Sequence, residues 1–324
     1  MIVALTPNPA VDVTARLGQV RVGETHRLSD LTTRAGGKGV NTAAVATAMG
    51  RDAIAVLHVG SESRATVEHD LGRRGIRATL IDSLVPTRRS LAVVDDDGEA
   101  TVFNEEGADP GADVWDEVVA AASRSCSRAQ DVLVVSGSLP PGAPPGIVNR
   151  LARAGAGTVV LDTRGEDLIA ALGESGAALP RLVAKPNLAE ARETLSAAGV
   201  AAGSQDALWC ACSLLDLGAW CAVVSDGPRG LVLATRDEGG SPFALSARLR
   251  EPVTGNPTGA GDALTAALAA HLGQAGTSPE PQLWEEAARV GVAWSAAAVI
   301  QPVAGEVDPA DVEHLLPAVV VETG

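Results

Sequence analysis

Tyrosine is absent from this chain, and its 324 residues include only two Phe and five Trp. A core built without aromatics must be aliphatic, made of Ala, Val and Leu, and the 46% of hydrophobic residues is ample for one large domain. No apolar run approaches the ~20 residues that a bilayer crossing needs. The first residues, Met1-Ile2-Val3-Ala4-Leu5 with Pro7 and Pro9 close behind, lack the basic region and long apolar stretch of a signal peptide. These absences predict a cytoplasmic protein without a membrane partner. Positive charge is also scarce. The net charge of −15 repels polyanions, which excludes nucleic acid as a partner and leaves a small anion possible only where basic groups gather locally.

Lysine is the rarest cation. Of 25 Lys plus Arg, only Lys38 and Lys185 are lysine. Arginine serves nearly everywhere else, so these two positions call for a compact ammonium instead of a planar fork. Cys126, Cys210, Cys212 and Cys221 lack the paired spacing of a zinc site. They read as reduced, apolar side chains.

What the chain does have is a strand-then-helix rhythm. Ile2–Thr6, Ala53–Val59, Val132–Ser136, Val159–Asp162, Val183–Lys185, Ala222–Ser225 and Leu231–Ala234 read as strands. Asn41–Met49, Val67–Arg74, Ile147–Ala154, Leu188–Ala198, Ala207–Leu217, Gly261–Leu272 and Leu283–Ile300 read as helices. Continuous apolar strands alternating with helices predict a parallel sheet covered on both faces, an α/β fold. Two stretches break the rhythm: residues 11–34, and 88–104 with the turn Asp95-Asp96-Asp97-Gly98. They predict antiparallel strands forming a small sheet that stands off the main one as a lid. The Gly-rich stretch Asp237-Glu238-Gly239-Gly240-Ser241 reads as a surface turn.

Four motifs carry chemistry. Asn256-Pro257-Thr258-Gly259-Ala260-Gly261-Asp262 runs straight into an apolar helix. Glycines and a helix N-terminus together make an anion hole, here from Gly259, Ala260 and Gly261. Asp262 falls in the first helical turn, where a carboxylate is favoured and predicted to stay ionised, ready to take a hydroxyl proton. An Asp is also an ordinary way to start a helix. Ala35-Gly36-Gly37-Lys38-Gly39-Val40-Asn41 opens another helix with a lysine and an amide. Lys185-Pro186-Asn187-Leu188-Ala189-Glu190 puts an amide oxygen and a carboxylate three apart, which suits a water-keeping Mg²⁺ and equally suits a helix capping box. Asn8-Pro9-Ala10-Val11-Asp12 places a carboxylate just past the first strand.

In this order the motifs resemble the PfkB (ribokinase-like) carbohydrate kinases, most nearly their 1-phosphofructokinase and tagatose-6-phosphate kinase branch. Ser136-Gly137-Ser138-Leu139-Pro140-Pro141-Gly142 is similar to a further branch motif. The resemblance implies a single domain over 1–324, a three-layer sandwich with a mostly parallel central sheet and a β lid formed by about 11–34 and 87–105. It implies an ATP- and Mg²⁺-dependent kinase of a hexose phosphate, with fructose 1-phosphate to fructose 1,6-bisphosphate as the leading reaction. Tagatose 6-phosphate, fructose 6-phosphate, an unphosphorylated sugar or a nucleoside remain open, as does a catalytically silent sugar-phosphate-binding regulator. By resemblance Asp262 is the base and Gly259, Ala260 and Gly261 are the anion hole. Asp12, Gly36, Gly37, Lys38, Asn41, Arg88, Asn104 and Ser138 bind the acceptor, with Arg88 on its phosphate. Lys185, Ser225, Gly227 and Gly230 line the ATP site, and Asn187 and Glu190 reach magnesium through water. Arg27 joins Arg88 and Lys38 as a candidate anion receptor. A homodimer through the lid is also expected, because a small sheet has open edges. Three positions depart from the branch: Ser90 and Ala92 stand where it has an Asn and a basic residue, with an extra Arg89 beside them, and Asp226 replaces an apolar residue.

Overall fold

Residues in unbroken apolar runs form strands buried on both faces. In Val132–Ser136, Val132 and Val134 pack into one core while Leu133 and Val135 pack into another. Ile2 and Ala4 divide from Val3 and Leu5 in the same way. The computed structural model describes residues 1–95, 100–155, 157–173, 180–200, 203–236, 240–273 and 280–323. The central part of the first expected turn, 96–98, and residues 237–239 of the second lie outside the described residues.

The strands are β1 (Ile2–Thr6), β2 (Ala10–Arg16), β3 (Ser29–Gly36), β4 (Ala53–Gly60), β5 (Arg77–Ser83), β6 (Arg88–Val94), β7 (Ala100–Asn104), β8 (Val132–Ser136), β9 (Thr158–Asp162), β10 (Arg181–Ala184), β11 (Cys221–Ser225), β12 (Leu231–Arg236), β13 (Pro242–Leu249) and β14 (Val319–Thr323). The helices are α1 (Lys38–Ala48), α2 (Arg64–Arg73), α3 (Ala112–Ser125), α4 (Ile147–Ala152), α5 (Gly165–Leu172), α6 (Leu188–Ala197), α7 (Ala207–Asp216), α8 (Ala260–Leu272), α9 (Pro281–Ile300) and α10 (Pro309–Leu315). Ten strands form one sheet in the order β14-β13-β12-β11-β10-β9-β8-β1-β4-β5. From β11 to β5 neighbours run parallel, and β12, β13 and β14 extend the sheet antiparallel. One face is covered by α1, α8 and α9, the other by α3 to α7. The core is aliphatic as composition requires, with Trp115, Trp284 and Trp294 as its large aromatic side chains. None of the four cysteines is in a disulfide.

The small sheet has the order β3-β2-β6-β7. It is mixed: β2–β3 and β6–β7 are antiparallel hairpin-like pairs, but β2 and β6 run parallel. The expectation of a wholly antiparallel sheet is corrected here. β1 and β5 both belong to the parallel array, and β2 and β6 each follow one of them after a short turn, so both leave the main sheet in the same direction. Register then fixes which side chains share a face. Arg34, Asp12, Ser90 and Asn104 are partners in one row across all four strands, and Thr32, Thr14, Ala92 and Val102 form the row two residues on. Asp12, Thr14, Arg34, Ser90, Ala92 and Val102 all line the cleft between this sheet and the main domain. The small sheet, the expected lid, therefore forms one wall of the cleft.

No helix among the described residues is long and apolar enough to cross a membrane.

Candidate active site

The candidate residues sit past the carboxyl ends of parallel strands, where open α/β sheets hold ligands. Asn8 and Asp12 follow β1, Gly137 follows β8, Asp162 ends β9, Lys185 follows β10 and Ser225 ends β11. The glycine-rich turn before α1 has a steric reason. A Cβ on Gly36 would stand 2.1 Å from the Asp12 carboxylate, so only glycine lets that carboxylate lie against the backbone. Burial pushes the Asp12 carboxyl above its ordinary value, opposed by Arg88, by Arg74 and by a bond from the Gly37 N–H.

Asn41, on the first turns of α1, donates from Nδ2 to Asp262 Oδ2 at 2.9 Å. Asp262 lies in the first turn of α8, whose N-cap is Gly259 in the left-handed conformation at φ +88°. Asn256 shapes the turn before it, accepting from the Thr258 N–H at 3.0 Å. The Ala260 N–H donates to Pro257 O at 3.2 Å. That amide, assigned to the anion hole by its sequence, is spent on the turn. The Gly261 N–H sits at a position that helix geometry leaves without an intrahelical acceptor.

Sequence reasoning singled out both lysines but not what joins them. Asp162 is fully buried, and its Oδ1 lies 3.3 Å from Lys38 Nζ and 3.4 Å from Lys185 Nζ. The Ser136 hydroxyl donates to its Oδ2 at 2.9 Å. Burial works to raise the Asp162 carboxyl, but Lys185, then Lys38, and the Ser136 bond outweigh it and hold the group below its usual value. Asp162 in return is the main reason that Lys38 is pushed up to about 12. The signal was an acidic residue closing an apolar strand in a chain with two lysines to neutralise.

The same cluster sets the state of Asp262. Burial and then the Asp162 charge push its carboxyl up to about 7, against Lys38, the Asn41 bond and Lys185. The helix start predicts a fully ionised group. The structure corrects this, because complete burial outweighs the helix dipole, and Asp262 titrates near neutrality instead.

Two cavities meet at the 256–262 segment. The larger, about 550 Å³, is lined by Lys38, Asp162, Lys185, Ser225, Gly227 and Gly230, with an apolar floor that includes Leu231, Leu264, Val292 and Val299. This is a volume and chemistry suited to a nucleotide. The smaller, about 80 Å³, is the cleft under the lid and holds Asp12, Asn41, Arg34 and Arg74. Pro257, Ala260 and Gly261 face the first, while Asn256 and Thr258 face the second. The glycine turn is thus the wall between them. A Cβ on Gly261 would stand 3.7 Å from Lys185 Nζ, which puts that ammonium beside the wall.

The remaining expected residues are distributed unevenly. Lys38 lines the larger cavity, away from the lid cleft. Arg88 Nε donates to Asn8 O at 3.2 Å and its Nη1 to Glu105 O at 3.4 Å, so it braces the 105–107 loop as well as facing Asp12. Asn104 is exposed at the end of the Ser90 row, Ser138 is exposed in the loop after β8, and Arg27 is exposed between β2 and β3. Arg89, one residue out of phase with Ser90, points to the other face of the lid. Asp226 holds Arg229 by two 2.7 Å bonds, a local pair outside the lining of the nucleotide-sized cavity.

Asn187 and Glu190 form a complete capping box at the start of α6, each accepting a backbone N–H from the other at 2.9 Å. The second Glu190 oxygen, Oε1, lies 3.9 Å from Lys38 Nζ. Among the described residues no group of three or more His, Cys, Asp or Glu could hold a metal. This donor set does not fit a protein-built magnesium cage. It fits Mg²⁺ arriving on phosphates and keeping most of its waters, one of which Glu190 or Asn187 could accept.

Comparison with known proteins agrees with this architecture. The chain is 33% identical to a 1-phosphofructokinase of Xanthomonas campestris, with 98% of this chain and 97% of that protein covered. It is 34% identical to a 1-phosphofructokinase of Haloferax volcanii, over 82% of this chain and 81% of the relative. The crystal structure of phosphofructokinase-2 from Escherichia coli in complex with potassium superposes with a TM-score of 0.82 at 23% identity, covering 98% of both chains, which establishes the shared fold. The profile of the pfkB family carbohydrate kinases matches residues 2–311, and the chain belongs to that family.

Proposed function

We propose that this carbohydrate kinase transfers the γ-phosphoryl group of ATP to a hexose phosphate, with fructose 1-phosphate to fructose 1,6-bisphosphate as its reaction. The observation that carries this reading is the turn 256–261 between a nucleotide-sized cavity and a lidded cleft, with Asp262 next in sequence and bonded to Asn41, which lines the cleft. The names of the two relatives support the choice of substrate.

In this reading the acceptor hydroxyl approaches Asp262 from the cleft, positioned by Asp12 and Asn41. Asp262 takes the hydroxyl proton as the acceptor oxygen bonds to the γ-phosphorus and the bond to the β-phosphate oxygen breaks, releasing ADP. The Gly261 N–H, the α8 N-terminus and the Lys185 ammonium receive the charge on the moving phosphoryl group. Mg²⁺ bound to the phosphates supplies further neutralisation of that charge. The cleft volume of about 80 Å³ is below the roughly 300 Å³ of small-molecule sites. The lid must therefore move outward to admit a sugar and close over it, which keeps water from the phosphoryl group. We also assign the lid as the surface of a homodimer. Leu31 and Phe103 are exposed on it, and β3 and β7 are its open edges.

The test is ADP release with Mg-ATP and fructose 1-phosphate, fructose 6-phosphate, tagatose 6-phosphate, fructose, ribose or adenosine. The expected outcome is the highest kcat/KM on fructose 1-phosphate. A preference for fructose, ribose or adenosine would overturn the substrate while leaving the kinase chemistry in place.

A further inference from the structure

Strand β6 lines the cleft under the lid with the neutral Ser90, Ala92 and Val94, while its Arg88 acts on Asp12 from outside that lining. The cations that line the cleft come from elsewhere: Arg34 on β3, and Arg74 just past α2. Arg34 is the register partner of Asp12, so its side chain leaves the lid on the same face as that carboxylate. Each guanidinium is held from behind by an acidic residue outside the cleft. Arg34 Nη1 bonds Glu306 Oε1. Arg74 Nη1 bonds Asp70 Oδ2 at 3.3 Å, while its Nη2 donates to Gly305 O at 3.4 Å. Both pairings draw the 305–306 segment against the lid cleft.

One donor is left over. Arg34 Nε is buried and has no hydrogen-bond partner. A buried N–H without an acceptor costs about 1–3 kcal/mol, so such groups are normally satisfied. Here the unsatisfied donor belongs to a residue lining a binding cleft, opposite a carboxylate suited to sugar hydroxyls. A phosphomonoester oxygen is the acceptor that would satisfy it, and a guanidinium fork matches a phosphate in geometry as well as charge. Glu306 holds Arg34 and Asp70 holds Arg74, and the charges of Asp12 and Arg74 also attract each other.

We propose that Arg34, with Arg74, is a further receptor for the phosphate that the acceptor sugar already carries, adding charge from β3 and from the residue just past α2 to that of Arg88 on β6. This inference rests on the reading that the acceptor is a hexose phosphate. Arg89 plays no part, since it lies on the far face of the lid.

The test is a comparison of Arg34→Ala, Arg34→Lys and Arg89→Ala by steady-state kinetics, with inorganic phosphate as a separate probe of the cleft. Arg34→Ala is expected to raise the KM for the hexose phosphate on the order of 10–100-fold, the loss of charge-assisted bonds, with kcat and the KM for ATP nearly unchanged. Arg34→Lys should recover part of that loss, because it restores the charge without the fork. Arg89→Ala should match the wild type. Inorganic phosphate should compete with the hexose phosphate in the wild type and lose that competition in Arg34→Ala. Wild-type turnover of a hexose phosphate, together with an Arg34→Ala KM within about twofold of the parent, overturns this inference and leaves the proposed function standing. A wild type that turns over only unphosphorylated sugars overturns the proposed function first.

Discussion

Asp262→Asn is expected to lower kcat on the order of 10²–10⁴-fold, the contribution of a positioned general base, and to make the folded protein more stable at pH 8. Both effects come from one environment. Asp262 is buried beside Asp162, and burial with that neighbouring charge pushes its carboxyl up to about 7 from an ordinary 3.8. The folded state therefore keeps a proton that the unfolded chain releases. Stability contributed by this group is greatest at low pH and is lost as pH rises from about 4 through 7. The Asn side chain stays neutral and can still accept from Asn41, so it escapes that loss. Thermal unfolding should show wild type and variant close together at pH 5 and the variant melting higher at pH 8. Activity has the opposite sign. The wild-type kcat/KM should fall about tenfold per pH unit below about 7, as the base becomes protonated. Near-normal kcat in Asp262→Asn would remove the residue from the role of base. Equal melting temperatures at pH 8 would show that its carboxyl is not held near neutrality.

Much of the fold could be read from the sequence, for a physical reason. Strands such as Val132–Ser136 are buried on both faces, so their apolar runs are unbroken and their ends are marked by Gly or Pro. Elements that are half exposed were harder to see. β13 begins at Pro242 and alternates in burial, and β5 begins with the exposed Arg77 and Ala78. Helix α3 is not among the elements expected from the sequence, although Trp115, Val118 and Ala122 mark a buried stripe on it. Composition and punctuation located the motifs, but not which cavity each would serve. Lys38 and Asn41 are three residues apart at one helix start, yet Lys38 turns to the nucleotide side through Asp162 while Asn41 turns to Asp262 and the lid cleft. Asp162 and Arg34 belong to no Gly-rich motif. Their roles arise from strand order and cross-strand register, which bring together residues more than a hundred positions apart, as with Lys38 and Asp162. The capping box at Asn187 and Glu190 shows the reverse case. A spacing that suits a metal is equally the spacing of a helix cap, and the local backbone bonds take Asn187 Oδ1 and Glu190 Oε2 while leaving Glu190 Oε1.

Asp162→Asn should damage stability and shift the pH profile, and the two effects together test whether the lysine cluster governs the base. Lys185 is 3% exposed and Asp162 2%, so removing the carboxylate strands a buried ammonium. Breaking a buried pair in this way costs about 3–5 kcal/mol, and at an unfolding entropy of about 2 cal/mol/K per residue each kcal/mol lowers Tm by roughly 1–2 °C in a chain of this length. Lys38 loses its principal anionic partner at the same time and keeps only the longer contact to Glu190. With both ammonium groups released from Asp162, kcat should fall as well. The pH dependence moves in a direction that a merely structural lesion does not predict. Asp162 is the largest charge raising the Asp262 carboxyl, larger in effect than the opposing Lys185. The acidic limb of kcat/KM in the folded variant should therefore move below about 7, so that the residual activity is less sensitive to mild acid than that of the wild type. An unshifted limb would mean that the titrating group is not Asp262, whatever the variant does to stability.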